Sequence, residues 1–244
     1  MSFRPRTPQK LFGRVAPRYD FLNRLMSAGL DRVWRQETAR ELDLPRGGRV
    51  LDLATGTGAL ALAVDARGDG LAFIAGVDLN RRMLGIARRR VRTARHRTPV
   101  HLLQASGENL PFADGAFDGV TIGFAIDDME GRERCAAEVL RVLAPGRRVA
   151  LLELAMPSHP LLNRIYRLYL STFPAIGKLF TRGAHEHLKE EILQYKGRRA
   201  VQELLQATGF VDYRTRDVTG GVVVVHSAAR PLRKCPPHAG QLQP

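Results

Sequence analysis

Short apolar runs alternate with amphipathic stretches along most of the chain, a pattern that predicts strands separated by helices. Strands are expected near 49–54, 73–77, 100–104, 117–124 and 148–154, and helices near 19–28, 31–42, 59–66, 81–95, 131–143, 159–172 and 198–208. Leu143-Ala144-Pro145-Gly146 stops one helix ahead of the fifth strand, because neither proline nor glycine continues a helix well. Phe210 to Val218, a turn at Thr219-Gly220-Gly221, and Val222 to Ser227 then read as a β-hairpin. Alternating strands and helices that end in a hairpin predict an α/β fold. Its form is a Rossmann-like, seven-stranded, mostly parallel sheet with a C-terminal antiparallel hairpin and N-terminal cover helices. Residues 1–9 read as a flexible N-terminus, 10–228 as one domain, and 229–244, rich in proline and poor in apolar anchors, as a disordered tail.

With 244 residues, 44% apolar and 25% charged, the chain has the composition of a globular domain with one continuous core. No apolar run approaches the roughly 20 residues that span a bilayer. Met1 to Gln9 carries Arg4 and Arg6 with no apolar core behind them, unlike a signal peptide, so a cytoplasmic protein is expected. Cys135 falls in a predicted helix and Cys235 in the proline-rich tail, so neither a disulfide nor a metal site is expected. The net charge of +14 changes the picture. Arg81, Arg82, Arg88, Arg89, Arg90, Arg92, Arg95 and Arg97 lie between Asp78 and Glu108 with no acidic residue among them. They read either as a solvated face in an arginine-rich chain or as a surface for anionic lipid at the inner membrane face. Nucleic acid is not expected, because no aromatic platform interleaves with these arginines.

The chemistry concentrates at Val50-Leu51-Asp52-Leu53-Ala54-Thr55-Gly56-Thr57-Gly58, where an apolar run stops and breaks into glycines before the helical run Ala59 to Val64. Glycine tolerates φ > 0 and lets a ligand approach the backbone. The next apolar run, Ala72 to Val77, ends in Asp78, placed to take both hydroxyls of a ribose. An adenosine-containing cofactor follows. Gly56-x-Gly58-x-x-Ala61 satisfies the loose dinucleotide fingerprint, and Asp78 lies 78 − 56 = 22 residues on. Asp52, inside the strand, argues against a pyrophosphate, which it would repel. It suits the amino-acid part of S-adenosylmethionine, held directly or through water. Nearly fifty residues ahead of the first strand leave room for two cover helices. Glu108-Asn109-Leu110-Pro111-Phe112 and Phe117-Asp118-Gly119-Val120 fall where methyltransferases flank the adenine and sulfonium. S-adenosylmethionine is therefore expected rather than NAD. Its cationic sulfur needs no metal to donate a methyl, only an in-line nucleophile.

These segments, with others, resemble the ubiquinone/menaquinone biosynthesis C-methyltransferases, which include the demethylmenaquinone methyltransferases. The likeness runs from Lys10-Leu-Phe-Gly-Arg-Val-Ala-Pro-Arg-Tyr-Asp-Phe-Leu-Asn-Arg-Leu-Met-Ser through Gly29-Leu-Asp-Arg-Val-Trp-Arg and the glycine turn. It continues in Glu138-Val-Leu-Arg-Val-Leu-Ala-Pro-Gly and Leu152-Glu-Leu-Ala-Met-Pro and closes at Thr219-Gly-Gly-Val-Val-Val-Val-His. The resemblance implies the class I methyltransferase fold, with cover helices in 10–45 and a helical substrate lid in 159–197. It also implies cofactor contacts from Thr57, Asp78, the pair Ser106-Gly107 and Gly123, beside Asp52, Gly56 and Gly58 read from the turn itself. Four places depart from the family, the first being its Asp-Ala or Asn-Ala pair, which reads Ser106-Gly107. Its Gly-Leu-Arg-Asn run reads Ala125-Ile126-Asp127-Asp128, its Tyr-Leu-Ser reads His187-Leu188-Lys189, and its Pro-Gly-Gly reads Pro145-Gly146-Arg147.

Methylating a ring carbon requires a hydroxyl deprotonated or nearly so, which a base near neutral pKa assists. Asp127 and Asp128 stand at the carboxyl end of the fourth strand, where open sheets bind ligands, and adjacent carboxylates raise one another's pKa. Alternatively, one of them caps the helix beginning near Gly131. Tyr19 lines the substrate pocket or packs among the cover helices, and His226, amid valines, reads as a core histidine. Leu162, Ile165, Tyr166, Tyr169 and Phe173 recur at helical spacing, as a lid on a prenyl tail or a helix packed on the sheet. The expected activity is methyl transfer to a polyprenylated quinol, demethylmenaquinol or a benzoquinol. The alternatives are a same-fold methyltransferase with another small-molecule substrate, because Asp127-Asp128 reverse the local charge, and a non-catalytic quinone-biosynthesis subunit. A homodimer and a peripheral membrane contact stay open.

Overall fold

The computed structural model describes residues 24, 27–68, 70–129, 131–169 and 198–232. Its helices are α1 (Asp31–Arg40), α2 (Ala59–Asp65), α3 (Arg81–Thr93), α4 (Arg132–Val142), α5 (160–169) and α6 (Arg198–Thr208). The strands are β1 (Arg49–Leu53), β2 (Phe73–Asp78), β3 (Val100–Gln104), β4 (Phe117–Gly123), β5 (Leu143–Leu154), β6 (Val211–Val218) and β7 (Val223–Ala229). They form one seven-stranded sheet in the order β3-β2-β1-β4-β5-β7-β6. The first five pair parallel, and β7 inserts antiparallel between β5 and β6. The expected parallel sheet with a terminal hairpin is the fold observed.

Alternation along β1 sorts the two faces, since successive side chains of a strand point opposite ways. Leu51 and Leu53 join Phe117, Val120, Ile122, Val139, Val201 and Leu205 in the core under α4 and α6. Val50 instead packs with Ala39, Ala61, Val64 and Ile74 beneath α1 and α2. Asp52, two residues on, faces that same side. Phe117 anchors the larger core, edge-on to Phe112 with ring centroids 4.9 Å apart.

Two boundaries differ from the sequence pattern. β5 begins at Leu143 rather than 148, because Leu143 pairs with Phe117 before the register shifts to Gly119↔Arg148. Pro145 and the left-handed Gly146 (φ +76°) occupy that irregularity, as bulges allow. β7 runs through Ala229, and the Arg230 amide donates to the Arg147 carbonyl at 2.8 Å, so ordered pairing passes residue 228. The helix 160–169 does not bury an apolar stripe on the sheet: Leu161, Leu162, Ile165 and Leu168 are exposed, while Tyr166 and Tyr169 stack at 6.2 Å. Phe173 and residues 170–172 of the expected helix lie outside the described residues, as do Tyr19, seven of the ten residues of the predicted helix 19–28, and Cys235.

His226 is a core histidine. It is fully buried on β7, and its Nδ1 lies 2.6 Å from the Tyr213 hydroxyl. Burial lowers its pKa from 6.5 to about 4. The unfolded chain therefore takes up a proton near pH 6.5 while the native state waits until about 4, so stability present above that window is lost as pH falls through it. The difference amounts to about 3 kcal/mol. Urea unfolding from pH 7 to 4 is expected to show this loss, and His226→Gln to flatten it. An unchanged slope in the variant would assign the pH dependence to other groups.

Candidate active site

At the carboxyl edge of the sheet, β1 delivers a buried aspartate into a turn that needs left-handed backbone. Ala54, Gly56 and Gly58 have φ of +54°, +54° and +77°. A Cβ on Gly56 would meet nothing nearer than 3.9 Å, so the turn is open there to a ligand. Gly58 serves packing: a Cβ would stand 3.4 Å from that of Ala87, where α2 and α3 approach. The turn is held by Thr55, whose amide donates to Val77 at 2.9 Å, and by the Gly58 amide bonded to the Thr55 carbonyl at 2.8 Å.

Asp52 is 1% exposed. Its Oδ1 accepts from the Thr121 hydroxyl at 2.7 Å, and its Oδ2 from the Thr55 hydroxyl at 2.5 Å and the Ala61 amide at 3.1 Å. Burial pushes its pKa up to about 6, against the pull of those bonds and of the Arg35 charge. Asp78, at the end of β2, accepts from the Gly56 amide at 2.8 Å and the Asn80 amide at 2.7 Å. Burial raises its pKa as well. The Thr57 hydroxyl and carbonyl accept from Arg90 of α3 at 2.8 and 3.2 Å, fixing the turn from outside.

A cavity of about 40 Å³ opens under this turn, lined by Arg35, Asp52, residues 54–57, Ala59, Leu60, Gly123 and Leu152. Four of the sequence-predicted residues thus converge: Asp52, Gly56, Thr57 and Gly123. Asp78 joins them through its bond to Gly56. Ser106 and Gly107 stand on the next loop, which the Ala105 amide ties to the Asp78 carbonyl at 3.3 Å. There the Ser106 hydroxyl accepts from the Glu108 amide at 3.2 Å, and a Cβ on Gly107 would come within 3.1 Å of the Cys135 sulfur. That thiol is buried, and desolvation with the Glu108 and Glu138 charges pushes its pKa up to about 12.

Ala125-Ile126-Asp127-Asp128 forms a tight turn after β4, a single 3₁₀ turn over Ile126–Asp128. Its Ala125 and Ile126 amides donate to the Glu153 carboxylate at 3.4 and 3.3 Å. Asp127 meets Arg132 at 3.4 Å, so a guanidinium stands beside the acidic pair after all. Asp127 does not line the cavity. The capping alternative is corrected: α4 begins at Arg132 with Gly131 as its cap residue, too far along for Asp127 or Asp128.

Two site residues escaped the sequence reading. Glu153 is buried at the end of β5 and supports the turn bearing Asp127. Arg35 reaches the cavity from α1, where Trp34, with its indole N–H bonded to the Thr219 hydroxyl at 2.7 Å, docks that helix over the sheet. The available signal was that both lie in segments that resemble the family, Arg35 at the end of the one beginning at Gly29 and Glu153 in the one beginning at Leu152.

The arrangement suits S-adenosylmethionine part by part: an open glycine turn, a carboxylate for the ribose, and opposite charges beside a small polar cavity for a zwitterion. The ubiE/COQ5 methyltransferase family matches residues 3–230. A ubiquinone/menaquinone biosynthesis C-methyltransferase of Syntrophotalea carbinolica is 41% identical over 234 residues, covering 95% of this chain and 98% of that one. A demethylmenaquinone methyltransferase of Thermus thermophilus is 40% identical over 225 residues, covering 91% and 100%. A solved SAM-dependent methyltransferase from Thermotoga maritima shares the fold with a TM-score of 0.62 at 19% identity, covering 91% and 99%. Another from Aquifex aeolicus gives 0.60 at 17%, covering 80% and 89%. The family match takes in the helix that roofs the cavity, the glycine turn beneath it and the closing hairpin together, and the chain belongs to the ubiE/COQ5 methyltransferase family.

Proposed function

We propose that the chain is an S-adenosylmethionine-dependent C-methyltransferase of isoprenoid quinone biosynthesis, acting on the ring of a polyprenylated quinol, demethylmenaquinol or a benzoquinol. The family match over residues 3–230 carries this reading. The cofactor, when bound, supplies a methyl on a cationic sulfur. Asp52 and the turn at Gly56, Thr57 and Gly58 hold its amino-acid end, Asp78 its ribose, Ser106 and Gly107 its adenine side, and Gly123 gives close approach at β4. Asp127 takes the proton of the quinol hydroxyl, with Asp128 beside it. The ring carbon made electron-rich in this way would be the nucleophile for that methyl, with S-adenosylhomocysteine the leaving group and the ring proton passing to solvent as the aromatic ring re-forms. Arg132 stands 3.4 Å from the Asp127 carboxylate and orients it. Tyr19, which lies outside the described residues, is assigned to the substrate ring from the family-like opening segment alone. Arg81, Arg82, Arg88, Arg89 and Arg92 are exposed along α3, which supports peripheral contact with an anionic membrane that stores the substrate. Among the described residues no helix is long and apolar enough to cross a membrane.

Labelled S-adenosylmethionine and purified chain, incubated with reduced lipid extracts that contain demethylated polyprenyl quinones, are expected to yield a methylated quinone identified by mass. The oxidised extract should yield none, because only the quinol carries the hydroxyl that activates its ring. Asp127→Asn is expected to slow the transfer about 10²- to 10⁴-fold with cofactor affinity unchanged. Cofactor binding without transfer to any quinol extract would replace the substrate by another small molecule, and copurified partners with no turnover would mark a non-catalytic subunit.

A further inference from the structure

Arg35 is a buried cation with donors to spare. It is 7% exposed overall, and its side chain 9%. A guanidinium carries five N–H donors. Two, on Nη1, go to the Asp31 carbonyl at 3.0 Å and the Asp31 carboxylate at 2.5 Å. The other three, on Nε and Nη2, have no protein acceptor among the described residues, although the side chain lines the cavity. Asp52 shares that cavity but does not satisfy them: the two residues form no ion pair, and the carboxylate is already bonded to Thr55, Ala61 and Thr121. Neither nitrogen, Nε or Nη2, is among the fully buried unpartnered atoms of the described residues, so both are reachable from the cavity and open to an arriving acceptor.

The Nε and Nη2 edge of a guanidinium matches a carboxylate with two parallel bonds. The cavity has the right scale for such a group. A single water needs about 10–15 Å³ of such volume, so about 40 Å³ is the scale of a small polar head group. Asp78, the carboxylate proposed for the ribose, is not among the lining residues and meets the turn at the Gly56 amide. We propose that Arg35 binds the α-carboxylate of the cofactor's methionyl group, opposite the α-ammonium at Asp52, so that a helix outside the sheet supplies half of a two-charge socket. This rests on S-adenosylmethionine as the cofactor and goes beyond it by assigning the carboxylate.

Calorimetry with S-adenosylhomocysteine and its decarboxylated analogue, which keeps the amine, tests the assignment. The wild type is expected to bind both. Arg35→Met should weaken S-adenosylhomocysteine about 10- to 100-fold, the range for charge-assisted bonds, and leave the analogue within about twofold. Should the Met variant fail to fold, Arg35→Lys, which keeps the stem and charge, is expected to lose severalfold for S-adenosylhomocysteine alone. Equal weakening of both ligands in either variant would make Arg35 a brace for α1 and overturn the proposal. A wild type that binds neither ligand would instead remove the cofactor reading, and the socket with it.

Discussion

Asp78→Ala is expected to lower affinity for S-adenosylhomocysteine by about 10²- to 10⁴-fold, the two charge-assisted bonds to a ribose contributing roughly 1.5–3 kcal/mol each. The loss is compounded because Asp78 does two jobs. Its Oδ2 holds the Gly56 amide at 2.8 Å, and its Oδ1 the Asn80 amide at 2.7 Å, so the alanine variant also releases the glycine turn. Asp78→Asn separates these effects. The amide oxygen can keep one backbone bond, and binding should fall by less. Circular dichroism is expected to show both variants folded, since the residue caps the sheet edge and is not part of the apolar core. Affinity within about threefold of wild type in the alanine variant would move the ribose away from β2.

Asp52→Asn is expected to weaken the same ligand by about 10- to 100-fold and to erase its pH dependence between 5 and 7. In the wild type the carboxyl titrates near 6. Above that value it is an anion facing the ligand's ammonium; below it the charge is gone, and affinity should drop about tenfold per unit of pH. The amide variant has no charge to lose, so its affinity should stay level. Asparagine is a tolerable replacement, because its oxygen can accept from Thr55 and Ala61 while the Thr121 hydroxyl rotates to accept from its NH₂. For stability the sign is reversed. A carboxyl raised from 3.8 to about 6 stabilises the fold most below 3.8, a contribution lost as pH rises through 6. The variant removes that burden and should melt no lower than wild type at pH 7 while binding worse. A pH profile identical in both proteins would show that Asp52 remains protonated or does not face the ligand.

Much of this was legible in one dimension because it depends on local rules. The break from Leu53 into Gly56 and Gly58 declares a left-handed turn, and the apolar run closing at Asp78 declares a strand end beside it. The Thr219-Gly220-Gly221 turn declared the hairpin. Where readings slipped, a distant partner was responsible. Leu143 looked like the end of a helix until Phe117 came alongside and drew it into β5. The exposed flank of the helix 160–169 carries the same periodicity as a packed helix, since periodicity records the spacing of apolar residues and not what covers them.

The charges of the site show the same division. That Asp127 and Asp128 follow β4 is a matter of order along the chain, but the approach of Arg132 to Asp127 depends on a turn whose amides are held by Glu153, on another strand. Sequence alone determined the class of fold, the glycine turn and its two flanking aspartates, because glycine, alternation and strand ends are written locally. Only the tertiary structure decided that Arg35 reaches Asp52's cavity, and why that carboxyl titrates near 6. Helix packing brings a guanidinium 52 − 35 = 17 residues away to the same side of the sheet, and burial, which no local pattern encodes, sets the energies of both charges.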